Sequence, residues 1–320
     1  MFSPQGPTLR ELAVQALSSV EHGYDLLAPK FDHTPFRTPD SILDAVGRAL
    51  RPLGPFDAGL DLCCGTGAGM EVLRGLCRER VTGVDISAGM LAVGRERLRA
   101  VEPGRSGADD PGRLCADVSA GPSAGDPGRL CADVSAGPSA GDPGRLCADL
   151  SVRPSAGDSG PSRVDLPERS RPAGAPPAVD WVRGDARALP FGSAFDLVVS
   201  FGAFGHFLPG ELPGLFAQVH AVLRPGGRFA FPIMAPPGPS SPWYWGLLGF
   251  DTMMRVRNAF WRPPFVMYYR AFRLDDVQRE LAGAGFEVDL HALPEFGERR
   301  DGSPRCRMVV ARRGPGTPPV

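Results

Sequence analysis

"LDLCCGTGAG" (residues 60–69) sets one acid, two adjacent cysteines and three alternating glycines between an apolar run and a segment of helical spacing. Three chemistries use such a loop. A redox or metal site would employ Cys63 and Cys64, a dinucleotide site the glycines, and a site for another nucleotide-like ligand the acid together with the glycines.

Composition narrows the choice. The 320 residues carry a formal net charge of -1 and are 42% hydrophobic, enough for a substantial core. No global field draws the chain to nucleic acid or to an anionic membrane, so a small or neutral partner fits better. The N-terminus lacks a basic region followed by an apolar core, and no apolar run reaches the roughly 18 residues of a membrane span, which predicts a cytoplasmic protein. Seven cysteines fit no secreted framework. Adjacent Cys63 and Cys64 suit neither a CxxC pair nor a zinc knuckle, and are expected as small buried residues rather than metal ligands.

Three near-identical 16-residue units occupy 109–124, 125–140 and 141–156, the second reading "GDPGRLCADVSAGPSA". Each is rich in Gly, Pro, Ser, Asp and Ala and has too little apolar surface to offset its ordering entropy. With the proline-rich stretch behind them they predict a disordered insertion over 103–178. It would divide a first half (1–102, including an N-terminal cap) from a second (179–313), ahead of a disordered tail (314–320). A stacked repeat is the alternative.

Around the insertion, strands and helices alternate. "AGLDLCC" reads as a strand, "GAGMEVLRGLCRE" as a helix with Met70, Leu73, Leu76 and Cys77 on one side, and "VTGVDIS" as the next strand. Ser87 would cap the following helix. "VDWVRGDARALPF", "FDLVVSFGAFGHF", the helix "LPGLFAQVHAVLRPGG" with its glycine stop, the strand "RFAFPIM", the helix "RLDDVQRELAGAGF" and two further strands complete the series. This rhythm predicts an α/β, doubly wound, Rossmann-like and mostly parallel seven-stranded sheet with helices on both faces.

A pyrophosphate loop would need G-x-G-x-x-G, but the glycines fall at 65, 67 and 69, with Met70 where the third is wanted. At this point the chain resembles the class I S-adenosylmethionine-dependent methyltransferases. "LDLCCGTGAG" looks like their first motif, "VTGVDIS" their second-strand acid and "GDARALPF" their third-strand signature. "FDLVVSFGAFGHF" and "VLRPGGRFAF" look like their fourth and fifth strands. The resemblance spans about two-thirds of the chain, everything but the insertion and the segment after the fifth strand.

The resemblance implies S-adenosylmethionine as cofactor and gives residues roles. Asp61 would lie near the ligand's ammonium, and Gly65, Thr66 and Gly67 would let backbone approach it. Asp85 would accept from the ribose hydroxyls, Ile86 and Met90 would pack on adenine, Asp185 and the Ala186 backbone would read its edge, and Ser200 would lie beneath the sulfonium with Phe201. Read singly, Asp61 and Asp185 also suit caps and Met90 also suits core.

Methyl transfer needs alignment, exclusion of water and, for a protonated acceptor, a base. His206 in "FGAFGHF" would be that base, or would cap the next helix. The segment at about 236–272, with "SSPWYWGLLGFDTMMRVRNAFWRPPFVMYYRAF" (240–272) dense in aromatics and methionine, is expected as a lid over a small apolar or aromatic acceptor, or as a dimer or membrane-surface contact. Tyr24 and Arg37 are candidate contacts from the N-terminal cap. The alternatives are a non-catalytic module that binds S-adenosylmethionine or acts through its repeats, and a nicotinamide oxidoreductase. The latter is disfavoured because Lys30 is the sole lysine and no Tyr-x-x-x-Lys occurs.

Overall fold

The computed structural model describes residues 5–34, 36–101, 151–153, 163–165, 175–262, 265–268 and 272–315. Three helices come first: α1 (Leu9–Leu17), α2 (Val20–Leu27) and α3 (Asp40–Leu50). Thr8 and Glu11 form a reciprocal capping box on α1, and the Ser19 hydroxyl accepts from the His22 amide to start α2. Then follow β1 (Phe56–Leu62), α4 (Ala68–Arg74), β2 (Cys77–Asp85) and α5 (Ala88–Val101). Ser87 caps α5 by accepting from the Met90 amide at 3.1 Å.

Two short strands, β3 (Ser151–Arg153) and β4 (Arg163–Asp165), pair antiparallel within the stretch expected to be without structure. The remainder of 103–174 lies outside the described residues, as do all but the first two residues of the expected tail. The second half contains β5 (Ala178–Arg183), β6 (Phe195–Val199), α6 (Leu212–Val222) and β7 (Leu223–Met234). It ends with α7 (Pro242–Phe260), α8 (Leu274–Gly283), β8 (Phe286–Ala292) and β9 (Cys306–Arg313).

Seven strands form one sheet in the order β5-β2-β1-β6-β7-β9-β8, parallel except for β9. Alternation along the strands divides the core into two layers. Leu60, Leu62, Val198 and Val309 join Phe216 and Leu281 on one face, while Leu197, Val199, Met308 and Val310 join Val46 and Leu73 on the other. Helices therefore cover both faces, and the central strands are buried on both sides.

Two boundaries differ from the periodicity. The helix after the glycine loop stops at Arg74, and Cys77 opens β2 opposite Phe56, because burial in the sheet outweighs one more helical turn. The expected glycine stop of α6 lies inside β7. There Gly226, at φ 79°, sits in a register shift against β6, and α6 has already ended at Val222.

Arg80 on β2 donates to Asp180 on β5 at 3.0 Å, with both side chains buried. Removing one partner strands a buried charge. Asp180→Ala is expected to cost about 3 kcal/mol in urea unfolding, and Arg80→Leu in the same chain should recover part of that loss.

Candidate active site at the carboxyl edge of the sheet

A cavity of about 460 Å³ opens where β1, β2, β5 and β6 end, at the carboxyl edge where ligands bind in open α/β sheets. Gly65, Asp85, Ile86, Met90, Asp185, Ala186 and His206 all line it. A recess of about 50 Å³ holds Asp61, Thr66 and Gly69 and shares Cys63, Gly65 and Phe201 with the main cavity. A larger hollow of about 1230 Å³ lies between β7, α7 and α8 and shares no lining residue with these two.

The loop from β1 to α4 owes its course to left-handed backbone. Cys63, Gly65 and Gly67 have φ of 58°, 54° and 86°, so a non-glycine residue holds a conformation that glycine adopts freely. The Gly65 amide, turned toward β2, donates to Asp85 Oδ2 at 2.8 Å, while the Ser87 amide donates to Oδ1 at 2.9 Å. Burial nonetheless dominates and raises the Asp85 carboxyl to about 6.

Asp61 is 1% exposed, and its Oδ2 has no hydrogen-bond partner among the described residues. Burial first, then the Asp85 charge, push its carboxyl well above the ordinary range, against the Met70 amide that donates to it. The same burial keeps the Cys63 and Cys64 thiols protonated, which removes them as nucleophiles.

Not every expected residue faces the cavity. Ser200 is fully buried, and its hydroxyl donates to the Leu62 carbonyl at 2.9 Å, tying β6 to β1; Phe201 meets the cavity instead. Gly67 lies on the far side of the loop, where a Cβ would stand 2.5 Å from the Trp181 ring. Thr66 turns its hydroxyl to Asp32 at 2.7 Å. The Asp185 carboxylate lines the cavity but is held by the Arg187 guanidinium and amide.

The opposite wall comes from the N-terminal segment and the turn after β6. His206 lies in a single helical turn (Ala203–His206), with Nδ1 2.7 Å from the Val266 carbonyl and Nε2 2.8 Å from the Tyr24 hydroxyl. A carbonyl only accepts, so Nδ1 carries the proton and Nε2 accepts from Tyr24. Burial holds the imidazole below its ordinary value, in the neutral form. Tyr24 stacks on Phe265 and meets Phe31 edge-on. Phe31 and Phe36 also line the cavity, and the sequence reading missed them; two aromatics within "KFDHTPF" were their only signal.

The segment expected to form a lid contributes Val266 to this wall, and Phe265 packs behind it on Tyr24. Most of its aromatic side chains point elsewhere: Trp243, Trp245, Phe260 and Trp261 are exposed on or beside α7. A helix of 19 residues has two sides, and only one is turned to the body of the protein.

Gly67→Ala combines left-handed strain with a clash against the buried Trp181. It is expected to lower stability by about 2 kcal/mol or more, read as a lowered Tm.

A family described as methyltransferase domain matches residues 60–109 and 145–227. A phthiotriol/phenolphthiotriol dimycocerosates methyltransferase of Mycobacterium leprae is 40% identical over 68 residues, 21% of this chain and 24% of that protein. An uncharacterized methyltransferase of Synechocystis is 44% identical over 55 residues, 17% of this chain and 26% of that one. The chain thus covers about a quarter of the length of these curated relatives. A solved structure from Nostoc punctiforme PCC 73102, provisionally assigned as an O-methyltransferase, superposes with a TM-score of 0.52 at 14% identity. It covers 93% of this chain and 62% of its own, a likeness of fold. The ordered motifs, the sheet order with its single antiparallel strand and the matched residues agree: the chain carries a methyltransferase domain of the class I S-adenosylmethionine-dependent kind.

Proposed function

We propose that the protein methylates a small apolar acceptor whose reacting atom carries a proton, with S-adenosylmethionine as donor. The observation that carries this reading is a pair of carboxylates, half-buried Asp85 in the 460 Å³ cavity and buried Asp61 in the recess beside it, facing a Tyr24–His206 pair on the other side.

The residues fit the cofactor. The orphaned Asp61 Oδ2 lies in the recess, where an ammonium would give it the partner it lacks. A Cβ on Gly69 would stand 2.6 Å from that oxygen, so only glycine leaves the carboxylate its place. Asp85, already fixed by two amides, would accept from ribose hydroxyls, and Ile86, Met90 and Ala186 would border the adenine. When bound, the sulfonium supplies an activated methyl group. Ser200 and Gly67 support the loop and strand rather than touch the ligand.

Phe31, Phe36, Phe207 and Val266, with the exposed Leu208 beside them, give the acceptor an apolar surround. An acceptor hydroxyl or amine lodged there would lose its proton to the Tyr24 oxygen as the Tyr24 proton passes to His206 Nε2. The product would be an imidazolium whose Nδ1–H stays on the Val266 carbonyl. The depressed imidazole stays free to accept at neutral pH, and the hydrogen bond orients Tyr24 for the transfer.

Titration calorimetry tests the cofactor. S-adenosylmethionine and its demethylated product should bind, NADH should not, and Asp85→Ala should weaken both by roughly tenfold to a hundredfold. Binding of NADH alone would overturn the reading. Affinity should fall as pH drops through about 6, where the Asp85 carboxyl takes up a proton and loses acceptor capacity.

With an acceptor found by screening phenols, acids and amines, Tyr24→Phe and His206→Asn should each lower kcat about a hundredfold or more. Donor affinity should hold, and the double variant should be little worse than either single one.

A further inference from the structure

The exposed side of α7 has no place in the chemistry above, yet with the residue just after the helix it holds six of the twelve large apolar side chains exposed among the described residues. Trp245, Gly249, Met253, Val256 and Phe260 recur at helical spacing along it, with Trp243 before them and Trp261 just after. Phe260 is 86% exposed, Trp243 74% and Trp245 61%, each far beyond the scatter of a soluble surface. The inner side of the same helix is settled: Met254 is buried with Phe265, Met267 and Tyr268. The patch runs on to α1, because Trp261 Nε1 donates to the Leu17 carbonyl at 3.2 Å, and Leu17 and Val14 are themselves half exposed.

Charge decides what this surface meets. The only acid in α7, Asp251, is 5% exposed and turned to the hollow behind the helix. Arg255 lines that same hollow, its guanidinium 4.8 Å from the centre of the Tyr268 ring, so the cations beside the apolar side are Arg262, just past the helix, and Arg10 on the adjoining α1, both exposed. Glu11 next to Arg10 is engaged by Lys30 at 2.7 Å. A two-fold contact between copies would set this cationic rim against itself, since such an interface presents the same patch from both sides. A sheet of anionic headgroups over an apolar interior complements it at both levels: arginines to phosphates, and Trp, Met and Phe into the acyl boundary.

We propose that α7, with the adjoining edge of α1, is an interfacial helix that seats the protein on an anionic lipid surface. The helix is about 28 Å long, and it would lie flat, since no helix among the described residues is long and apolar enough to cross a membrane. This inference stands apart from the cofactor reading, because a chain that failed to bind S-adenosylmethionine could still seat on lipid.

The test mixes the full chain with vesicles of phosphatidylcholine alone, or of phosphatidylcholine with phosphatidylglycerol, and reads co-flotation and tryptophan emission. Three of the four tryptophans sit at the patch, and the fourth, Trp181, is buried, so a blue shift reports on this face. Binding to the phosphatidylglycerol vesicles with a blue shift is expected. Arg10→Gln and Arg262→Gln should each weaken it by about fivefold, and Met253→Glu with Phe260→Glu should abolish it while donor affinity and Tm hold. Should the double variant fold poorly, quenching of the native chain by brominated lipid reads the same face. Absence of flotation with either vesicle, flotation that survives the double variant, or a lipid-free dimer that the same substitutions dissociate would overturn the inference.

Discussion

Everything at the carboxyl edge depends on Asp85 being held by two backbone amides. The Gly65 amide fixes the glycine loop to the end of β2, and the Ser87 amide fixes the start of α5 to the same carboxylate. One side chain thereby sets the distance between the two strand ends that form the cavity floor. The arrangement has an electrostatic cost. Asp61 lies buried nearby, and the charge on Asp85 helps to raise its carboxyl. The folded chain holds the Asp85 proton more tightly than the unfolded chain does, so the cost to stability grows between pH 3.8 and about 6 and is full above that. A cationic ligand relieves this repulsion, which is why the site is better suited to a sulfonium and an ammonium than to a pyrophosphate.

The second constraint is polar closure by the N-terminal helices. Asp25 Oδ1 accepts from the Ser87 hydroxyl at 2.6 Å and from the Gly89 amide at 2.9 Å. Glu21 pairs with Arg183 at 2.6 Å, and Asp32 with Arg97 at 3.0 Å. These contacts clamp α2 and the turn after it onto α5 and β5, and so carry Tyr24 to His206, 182 positions away in the chain. An aromatic wall of Tyr24, Phe31 and Phe36 then narrows the cavity from above, while Val266 completes it from the segment beyond α7. The division of α7 follows from the same geometry: once Phe265 and Met254 pack on α2 and its neighbours, the other side of the helix meets nothing among the described residues.

Local pattern made the sheet and half of the site legible. Alternating apolar strands, the glycines at 65, 67 and 69, and an acid at the end of each of the first two strands are short-range features, and backbone geometry turns them into a parallel sheet with a ligand loop. What pattern could not give were positions settled by competition between neighbours. Cys77 joined a strand instead of a helix, Ser200 turned to the Leu62 carbonyl instead of the cavity, and the Asp185 carboxylate went to Arg187. The aromatic segment read as a lid became a two-sided helix, because hydrophobicity says that a side chain seeks cover but not which surface supplies it. Net charge likewise averages over the whole chain and hides a local cationic rim. The sequence by itself determined the fold, the glycine loop and the two carboxylates, since each follows from residues adjacent in the chain. Only the tertiary structure decided the Tyr24–His206 pair, the orphaned oxygen of Asp61 and the uncovered side of α7, since each depends on which distant elements compete for the same space.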